Sequence, residues 1–353
     1  MVTLTLAGAA HGAGPDTPSQ KALVAEFKSH MDRLGKRNEF SGAVLLARHE
    51  NVLISEAYGL ADRRFDIPNR TDTRFNLASV GKMFTGIAIA QLAERGQLGF
   101  QDFLRQHLTS LHPEVARKVT LHHLLTHSSG LPSYWTELFA TNFSTFRSHR
   151  QMVDLVRHQA PAFEPGTAFA YSNTGFVLLG RVIEVVSDQS YEDFIQKNIF
   201  GPAGMTNSGF WAYDGPAKNL ATGYTPSADG TWRSNVFLHA AKGNAAGGGY
   251  STLSDLHRFA LAFQKDTLLQ PKSRQTVLRP PGGLIDGRTR GYGIGDHGQG
   301  TSRVQGHGGG APGISTQVRM YPESGFILIV LANVDGAASG PRSTFEALLG
   351  RHF

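Results

Sequence analysis

The sequence of 353 residues contains no cysteine. Without cysteine there is no disulfide framework, no thiolate zinc site and no cysteine nucleophile. Charged residues are also scarce, at 18% of the chain, against roughly 25% in average globular proteins. Because hydrophobic residues make up 40% of the chain, a disordered chain or a coiled coil is excluded, and the composition predicts a globular protein with a substantial core.

Long hydrophobic runs are missing as well. The longest fully apolar run, Phe326–Ala332, is far shorter than the roughly 20 residues that span a bilayer, so we expect no membrane-spanning helix. The net charge of +6 favours attraction to anionic surfaces. The basic residues are nevertheless scattered, and no aromatic residues interleave them as in single-strand nucleic-acid binders. We therefore expect no nucleic-acid partner.

The first residues of the chain, Met1–Gly14, are mostly small and apolar and include an A-x-A tripeptide at Ala7–Ala9. No lysine or arginine precedes Lys21. This composition is typical of the apolar region and cleavage end of a secretory signal whose basic start is missing. We interpret 1–18 as a signal-peptide remnant or a disordered N-terminus and expect a secreted or periplasmic protein, with a cytoplasmic location as the open alternative.

Hydrophobic periodicity predicts the main elements. A helix is expected over Ser19–Leu34, one β-hairpin over Gly42–Tyr58, a second hairpin over Ile314–Asn333 and a last helix over Ser343–Leu349. Between the hairpins helical patterns dominate, and they cover Val80–Glu94, Leu121–His127, Met152–His158, Asn173–Val186 and Tyr191–Ile199.

These patterns predict an α/β fold of the α+β type, in which an antiparallel sheet built from both chain ends is flanked by helices. We place the sheet domain at 19–78 plus 235–353 and a mostly helical inserted region at 79–234. A cleft between the two is the expected position of a functional site.

Most standard catalytic motifs are absent. The sequence has no H-E-x-x-H zinc motif and no P-loop, and its two G-x-G-x-x-G matches open no predicted helix. The G-x-S-x-G turn of α/β-hydrolases also fails around Ser79, because Leu77 stands where the first glycine is required. Metalloprotease, P-loop, Rossmann and α/β-hydrolase functions therefore have no support.

Ser79 and Lys82 form an S-x-x-K motif at the start of a strongly apolar predicted helix. A spacing of three residues places the hydroxyl and the amine on one helix face. A lysine that is desolvated near a helix N-terminus loses its charge readily and can act as a base toward a neighbouring hydroxyl. The pair indicates a serine nucleophile, with a capping serine followed by an exposed lysine as the structural alternative.

Two further motifs lie downstream. Tyr171-Ser172-Asn173 is the only Y-x-N in the chain and stands at the entrance to a predicted helix, and His307-Gly308-Gly309-Gly310 precedes the second hairpin. Each motif alone also fits a structural role, because the tyrosine can be a core residue and the glycines can form a bulge or a turn.

In this order, and with the flanking segments Leu124–Pro132 and Tyr171–Gly175, the three motifs resemble the penicillin-recognising serine hydrolases. This superfamily includes class C β-lactamases, DD-peptidases, D-aminopeptidases and family VIII carboxylesterases. The resemblance covers roughly 40–333. It implies an α/β sandwich with an all-helical insert, which agrees with the patterns above.

The resemblance also implies a role for each matching residue. Ser79 would be the nucleophile, and Lys82 and Tyr171 would share the proton transfers. Asn173 would hydrogen-bond the acyl side chain or hold Lys82. The backbone N–H groups of Ser79 and Gly310 would form the oxyanion hole, where glycine lets the backbone approach the substrate closely. No metal and no cofactor are implied.

The third motif departs from the family pattern. Where β-lactamases usually carry Lys-Thr-Gly, this chain has His307-Gly308-Gly309, which loses a permanent cation and a hydroxyl that would hold a substrate carboxylate. We therefore expect β-lactam hydrolysis to be weak and to improve as the pH falls through the histidine range. Esters or D-residue peptides are the expected substrates.

Two other groups of residues have competing interpretations. A histidine cluster has the ligand type for zinc, but no carboxylate completes a site, so structural histidines are the preferred interpretation. An aromatic stretch either lines an apolar acyl pocket or packs in the core. The histidines are His122, His123 and His127, and the aromatic residues are Tyr134, Trp135, Phe139, Phe143 and Phe146.

Together these observations predict a metal-independent serine hydrolase that acts through an acyl-enzyme on a small ester, amide or peptide substrate, as a carboxylesterase or a D-residue peptidase. A β-lactamase, a transacylase of the same fold and a non-catalytic penicillin- or wall-binding module are the alternatives. The sequence leaves the natural substrate, the acyl acceptor and the oligomeric state open.

Overall fold

The computed structural model describes residues 17–215, 217–285 and 287–353. The predicted signal-peptide remnant falls on residues 1–16, which lie outside the described residues, so it stays a prediction. The α-helices are α1 (Pro18–Lys36), α2 (Lys82–Glu94), α3 (Pro113–Lys118), α4 (Leu121–Leu125), α5 (Glu137–Asn142), α6 (His149–Val156), α7 (Asn173–Ser187), α8 (Tyr191–Ile195), α9 (Leu253–Gln264), α10 (Pro271–Leu278) and α11 (Ser339–His352).

The strands are short except for five of the six strands of the main sheet. In chain order they are β1 (Gly42–Arg48), β2 (Asn51–Tyr58), β3 (Leu60–Asp62), β4 (Ile67–Pro68), β5 (Phe75–Asn76), β6 (Tyr224–Pro226), β7 (Trp232–Ser234), β8 (Tyr250–Ser251), β9 (Leu284–Ile285), β10 (Arg288–Thr289), β11 (Gly295–His297), β12 (Val304–Ala311), β13 (Ile314–Tyr321) and β14 (Phe326–Ala332).

The main sheet has six strands in the order β11-β12-β13-β14-β1-β2, and all neighbours are antiparallel. The two chain ends meet inside it, because β1 pairs with β14 from Gly42 opposite Ala332 to Arg48 opposite Phe326. Both predicted hairpins are confirmed. The predicted α/β fold, with an antiparallel sheet built from both chain ends, is confirmed as well.

Helices cover both faces of this sheet. On one face α1 and α11 pack together, with the rings of Phe27 and Phe345 in edge contact at 5.7 Å. The main core on the other face includes α2, α7 and α9. Strand β14 is buried at every residue, because a strand between two covered faces has no solvent-facing side.

The predicted helices are present, but some ends differ near the motifs. The helix predicted from Val80 begins at Lys82, and a 3-10 turn over Ala78–Gly81 precedes it. The helix predicted to reach His127 ends at Leu125, because His127 has a left-handed backbone with φ of 57° that no α-helix accommodates. Both differences reshape the backbone close to the predicted site.

Other helix ends follow local capping. The helix predicted from Met152 begins at His149, because the Ser148 side chain accepts a backbone hydrogen bond from the first turn. The helix predicted over Tyr191–Ile199 changes from an α-helix to a π-helical turn after Ile195 and ends at Phe200. No helix in the described part of the chain is both long and apolar enough to cross a bilayer.

Candidate active site

Ser79 is carried by a strained turn between β5 and α2. Ala78 has φ of 43°, in the left-handed region that non-glycine residues disfavour. Two hydrogen bonds hold this turn: the Ala78 N–H donates to Asn76 Oδ1 at 2.8 Å, and the Thr316 hydroxyl of β13 donates to the Leu77 carbonyl at 3.0 Å. The sheet and the turn together fix the position of the Ser79 side chain.

Ser79 Oγ lies within hydrogen-bonding distance of two predicted proton-transfer groups. Lys82 Nζ is 3.1 Å from it, and the Tyr171 hydroxyl oxygen is 2.9 Å from it. The three-residue spacing brings the side chains of Ser79 and Lys82 together because residues i and i+3 of a 3-10 turn lie on the same side. The structure therefore brings together the three residues predicted as catalytic, from motifs that are far apart in the sequence.

Lys82 has no exposed surface. Its Nζ lies 3.1 Å from Ser79 Oγ and donates to Asn173 Oδ1 at 2.7 Å and to the Ala246 carbonyl at 2.5 Å, and all three of these partners are uncharged. Burial therefore lowers the pKa of Lys82 well below its usual value of 10.5. A neutral amine beside a serine hydroxyl can accept the hydroxyl proton.

Tyr171 stands just before α7 and donates its hydroxyl hydrogen to Ser79 Oγ. Burial of the phenol in the cleft outweighs the hydrogen bond with Ser79 and raises the pKa of Tyr171 to about 12. A tyrosine that keeps its proton over the ordinary pH range is a proton donor. The opposite directions of the two pKa shifts suit Lys82 to the base and Tyr171 to the acid, two roles that the resemblance left shared.

His127 supports the Tyr171 ring, a role that the motif analysis missed. The two rings stack with centroids 4.3 Å apart, and His127 Nδ1 accepts the Ser172 N–H at 3.2 Å. Burial is the main cause that lowers the pKa of His127 well below 6.5, so the ring is neutral. The sequence feature that could have pointed to His127 is its position within the Leu124–Pro132 segment, which is part of the motif resemblance.

The three candidate zinc ligands make separate hydrogen bonds. His122 Nδ1 is 2.8 Å from the Tyr292 hydroxyl, and His123 Nδ1 accepts the Thr120 N–H at 3.3 Å. Across the described ranges, no group of three or more histidine or acidic side chains is arranged to hold a metal ion. The contacts of His122, His123 and His127 fit structural roles.

The glycine-rich motif lies within strand β12, which pairs with β13 along the motif, so the alternative of a turn is wrong. A Cβ atom at Gly309 would lie 2.3 Å from the Leu77 carbonyl oxygen, so only glycine lets the strand approach the Ser79 turn this closely. A Cβ atom at Gly310 would meet nothing within 4 Å. Gly309 is therefore required by protein packing, whereas Gly310 faces open space beside Ser79.

The pKa of His307 differs from the usual histidine value that the sequence analysis assumed. Its Nδ1 donates to the Gly308 carbonyl at 2.5 Å, and burial is the main cause that lowers the pKa of His307 to about 3. The side chain is therefore uncharged throughout the usual assay range. The expectation that β-lactam hydrolysis improves as His307 gains a proton within the ordinary histidine range is wrong.

Two cavities flank the catalytic residues. The first has a volume of about 360 Å³, and Ser79, Asn173 and Gly310 lie in its wall. The second has a volume of about 230 Å³, and Tyr171 and His307 lie in its wall. The hydrogen bond between Tyr171 and Ser79 therefore marks the boundary between the two cavities.

The residues predicted to bind substrate divide between these cavities. Asn173 and Gly310 line the first cavity, and His307 and Gly308 line the second. Gly309 lines neither cavity, because it packs against the turn that carries Ser79. Asn173 Oδ1 also accepts a hydrogen bond from Lys82 Nζ. Its position therefore allows both roles that the resemblance implies, namely contact with the acyl side chain and positioning of Lys82.

The aromatic stretch is partly cavity wall and partly core. Tyr134, Trp135 and Phe139 line the first cavity, whereas Phe143 and Phe146 pack against the main core. Sequence reasoning missed Tyr213 and His239, which also line this cavity, because these residues belong to no recognisable motif.

Comparison with known proteins identifies relatives of the kind that the three motifs resemble. The family model described as Beta-lactamase matches residues 27–350. A penicillin-binding protein of Bacillus subtilis is 33% identical over 322 residues, which cover 86% of this chain and 70% of that protein. Esterase EstB of Burkholderia gladioli is 29% identical over 309 residues, which cover 78% of each protein.

Solved structures give the same result for the fold. A penicillin-binding protein from Bacillus halodurans superposes with a TM-score of 0.83 at 33% identity, over 90% of this chain and 99% of that chain. A D-amino acid amidase from Ochrobactrum anthropi has a TM-score of 0.74 at 24% identity, which is a likeness of fold alone. The resemblance found in the sequence motifs is therefore confirmed at the level of family and fold.

Proposed function

The chain belongs to the beta-lactamase family, and from this premise we propose that it is a serine hydrolase that works through an acyl-enzyme on Ser79, with ester hydrolysis as its leading activity. The observation that supports this proposal most strongly is the pair of contacts at Ser79 Oγ, with Lys82 Nζ at 3.1 Å and with the Tyr171 hydroxyl, which donates to it, at 2.9 Å. Such an arrangement activates a serine hydroxyl that is otherwise a weak nucleophile.

Acylation follows from the protonation states of these groups. The neutral amine of Lys82 takes the Ser79 proton while Oγ bonds to the carbonyl carbon of the substrate. The N–H groups of Ser79 and Gly310 stabilise the oxygen that becomes negative. As the bond to the leaving group breaks, Tyr171 gives its proton to that group and regains one from the ammonium of Lys82.

Deacylation uses the same groups with water in place of the leaving group. The amine of Lys82 accepts a proton from water through Tyr171, and the oxygen of that water attacks the acyl carbon. The bond to Ser79 Oγ then breaks, and Oγ regains a proton from Lys82. No step of this cycle requires a metal or a cofactor.

The third motif favours esters over β-lactams. His307 is uncharged because burial lowers its pKa to about 3, so a substrate carboxylate finds no histidine cation at this position. A charge-assisted hydrogen bond contributes roughly 1.5–3 kcal/mol, or about ten- to a hundredfold in kcat/KM. Activated short-chain esters do not need that contact, and esterase EstB is among the similar proteins.

D-residue peptidase activity is the second candidate. Two of the similar proteins, each 33% identical to this chain, are named for penicillin binding. The resemblance of the motifs to those of DD-peptidases leads to the same expectation of D-residue peptidase activity. A peptidase of this kind uses the same acyl-enzyme, so the two candidates differ in the leaving group and not in the catalytic residues.

Covalent labelling tests the proposal. The protein is treated in parallel with a fluorescent fluorophosphonate and a fluorescent penicillin, together with Ser79→Ala and the matched control Ser110→Ala, in which an exposed serine is replaced. Labelling by the fluorophosphonate alone supports the esterase, and labelling by both reagents supports the peptidase or a β-lactamase. Labelling by neither reagent, or undiminished labelling of Ser79→Ala, contradicts the proposal.

A further inference from the structure

The first cavity has an aromatic wall beside Ser79. The rings of Trp135 and Phe139 meet edge to face with centroids 5.0 Å apart, and Tyr134 stacks on Trp135 at 5.7 Å. Tyr134 and Phe139 are buried, whereas Trp135 is 47% exposed. A wall of this kind offers dispersion contacts and edge contacts to an apolar group that enters from solvent.

The part of the lining that Tyr213 and His239 form contains no anion. The rings of Tyr213 and His239 stack at 5.7 Å, and His239 Nε2 donates to the Pro312 carbonyl at 3.0 Å. Burial lowers the pKa of His239 to about 4, so the imidazole is uncharged at neutral pH. Neither side chain therefore offers a negative charge to a bound cation.

The charged side chain that lines the first cavity is a cation. Lys242 lines the first cavity, and its Nζ forms an ion pair with Glu192 at 2.8 Å. No aspartate or glutamate lines the cavity within the described part of the chain. An ammonium group buried here would lose its hydration without gaining a carboxylate partner, which is costly.

The position of the proton donor indicates which part of the substrate enters this cavity. Tyr171, the proposed acid for the leaving group, lines the second cavity, so the leaving group belongs on that side. Gly310 and Asn173 line the first cavity together with Ser79. The acyl part of the substrate therefore belongs in the first cavity, beside its aromatic side chains.

We infer that the acyl subsite is built for an uncharged apolar group, such as an arylalkyl or N-acylated residue, and discriminates against substrates with a free ammonium group beside the scissile carbonyl. This inference rests on the proposed acyl-enzyme mechanism and adds a substrate class to it. Because the cavity has a volume of about 360 Å³, it has room for a phenyl ring with a short linker.

Three matched esters test this inference. The methyl esters of 3-phenylpropanoic acid, N-acetyl-D-phenylalanine and D-phenylalanine share the same ring and leaving group, and only the last carries an ammonium group. At about pH 6, where an α-amino group is protonated, we expect kcat/KM for the D-phenylalanine ester to be at least about tenfold below that of the two others. The difference should narrow at about pH 8.5, where the amine is largely neutral.

A charge variant provides a second measurement. Lys242→Gln removes the cation of the wall and leaves Glu192 without its partner, so the preference against the ammonium ester should weaken severalfold. The matched control is Lys265→Gln, which removes an exposed lysine–glutamate ion pair with Glu50 outside the first cavity. The preference should be unchanged in this control.

Two outcomes would overturn the inference in distinguishable ways. If the labelled, active enzyme hydrolyses the D-phenylalanine ester as fast as the neutral esters at about pH 6, the subsite assignment is wrong and the acyl-enzyme mechanism stands. If none of the three esters is hydrolysed and the fluorophosphonate does not label the protein, the proposed function fails and takes the inference with it. A pH-independent preference would also contradict the charge argument.

Discussion

At the scale of single residues, the protonation of Lys82 controls the proposed reaction. Below its pKa the amine is an ammonium ion and cannot accept the Ser79 proton, and above its pKa it is a competent base. Because burial lowers the pKa of Lys82 well below 10.5, kcat/KM for an ester should rise with pH and level off far below that value. A pH profile that still rises steeply near pH 10 would contradict this assignment.

The descending side of the same profile belongs to Tyr171. Burial raises the pKa of Tyr171 to about 12, so loss of its proton should not reduce activity below about pH 10. The Tyr171→Phe variant removes that proton donor, so the decrease of kcat/KM at high pH that we assign to Tyr171 should be absent from its pH profile. Its kcat/KM is measured from pH 6 to the stability limit of the protein beside the wild type.

Lys82 and Tyr171 should behave as one unit. Each lies within hydrogen-bonding distance of Ser79 Oγ, and groups that act together lose activity non-additively. We expect Lys82→Ala and Tyr171→Phe each to lower kcat/KM by about 10² to 10⁴, with the double variant little worse than the poorer single variant. Fully multiplicative losses would show that the two groups work independently.

At the scale of elements, the distance between strand β12 and the Ser79 turn depends on Gly309. A Cβ atom there would lie 2.3 Å from the Leu77 carbonyl oxygen, so Gly309→Ala should push the strand and the turn apart. We expect a loss of about 1–3 kcal/mol in the free energy of unfolding and a lower kcat/KM. Denaturant titration and ester kinetics measure the two effects.

The neighbouring glycine supplies the matched control for stability. A Cβ atom at Gly310 would meet nothing within 4 Å, so Gly310→Ala should change the free energy of unfolding by no more than about 0.5 kcal/mol. Equal destabilisation by the two substitutions would show that the tight packing of Gly309 does not determine the stability of this contact.

At the scale of the whole molecule, the face of the sheet covered by α1 and α11 is separate from the site. Phe345 is fully buried there and contacts the rings of Phe27, Tyr321 and Phe326. Phe345→Ala should therefore cost about 3–5 kcal/mol of stability while fluorophosphonate labelling of the folded protein stays normal. Loss of labelling under conditions where the fold is intact would show that this layer positions the site.

The sequence predicts the fold well because both hairpins and most helices carry strong hydrophobic periodicity, as in the fully buried β14. Spacing alone links only Ser79 and Lys82, and the resemblance to the penicillin-recognising serine hydrolases implies that Tyr171 and Asn173 join them. The sequence could not predict the neutral state of His307, which depends on burial by distant segments. The part of the lining of the first cavity that Tyr213 and His239 form escaped prediction for the same reason, since tertiary packing alone brings these two residues there.

The central claim is that an acyl group is transferred to Ser79 Oγ, and intact-protein mass spectrometry after rapid acid quench measures this step directly. With a p-nitrophenyl ester in excess, we expect one acyl mass increment, located by peptide mapping on the peptide that contains Ser79. The increment should be absent from Ser79→Ala and present in Ser110→Ala. An adduct on another residue, or wild-type ester turnover by Ser79→Ala, would contradict the account.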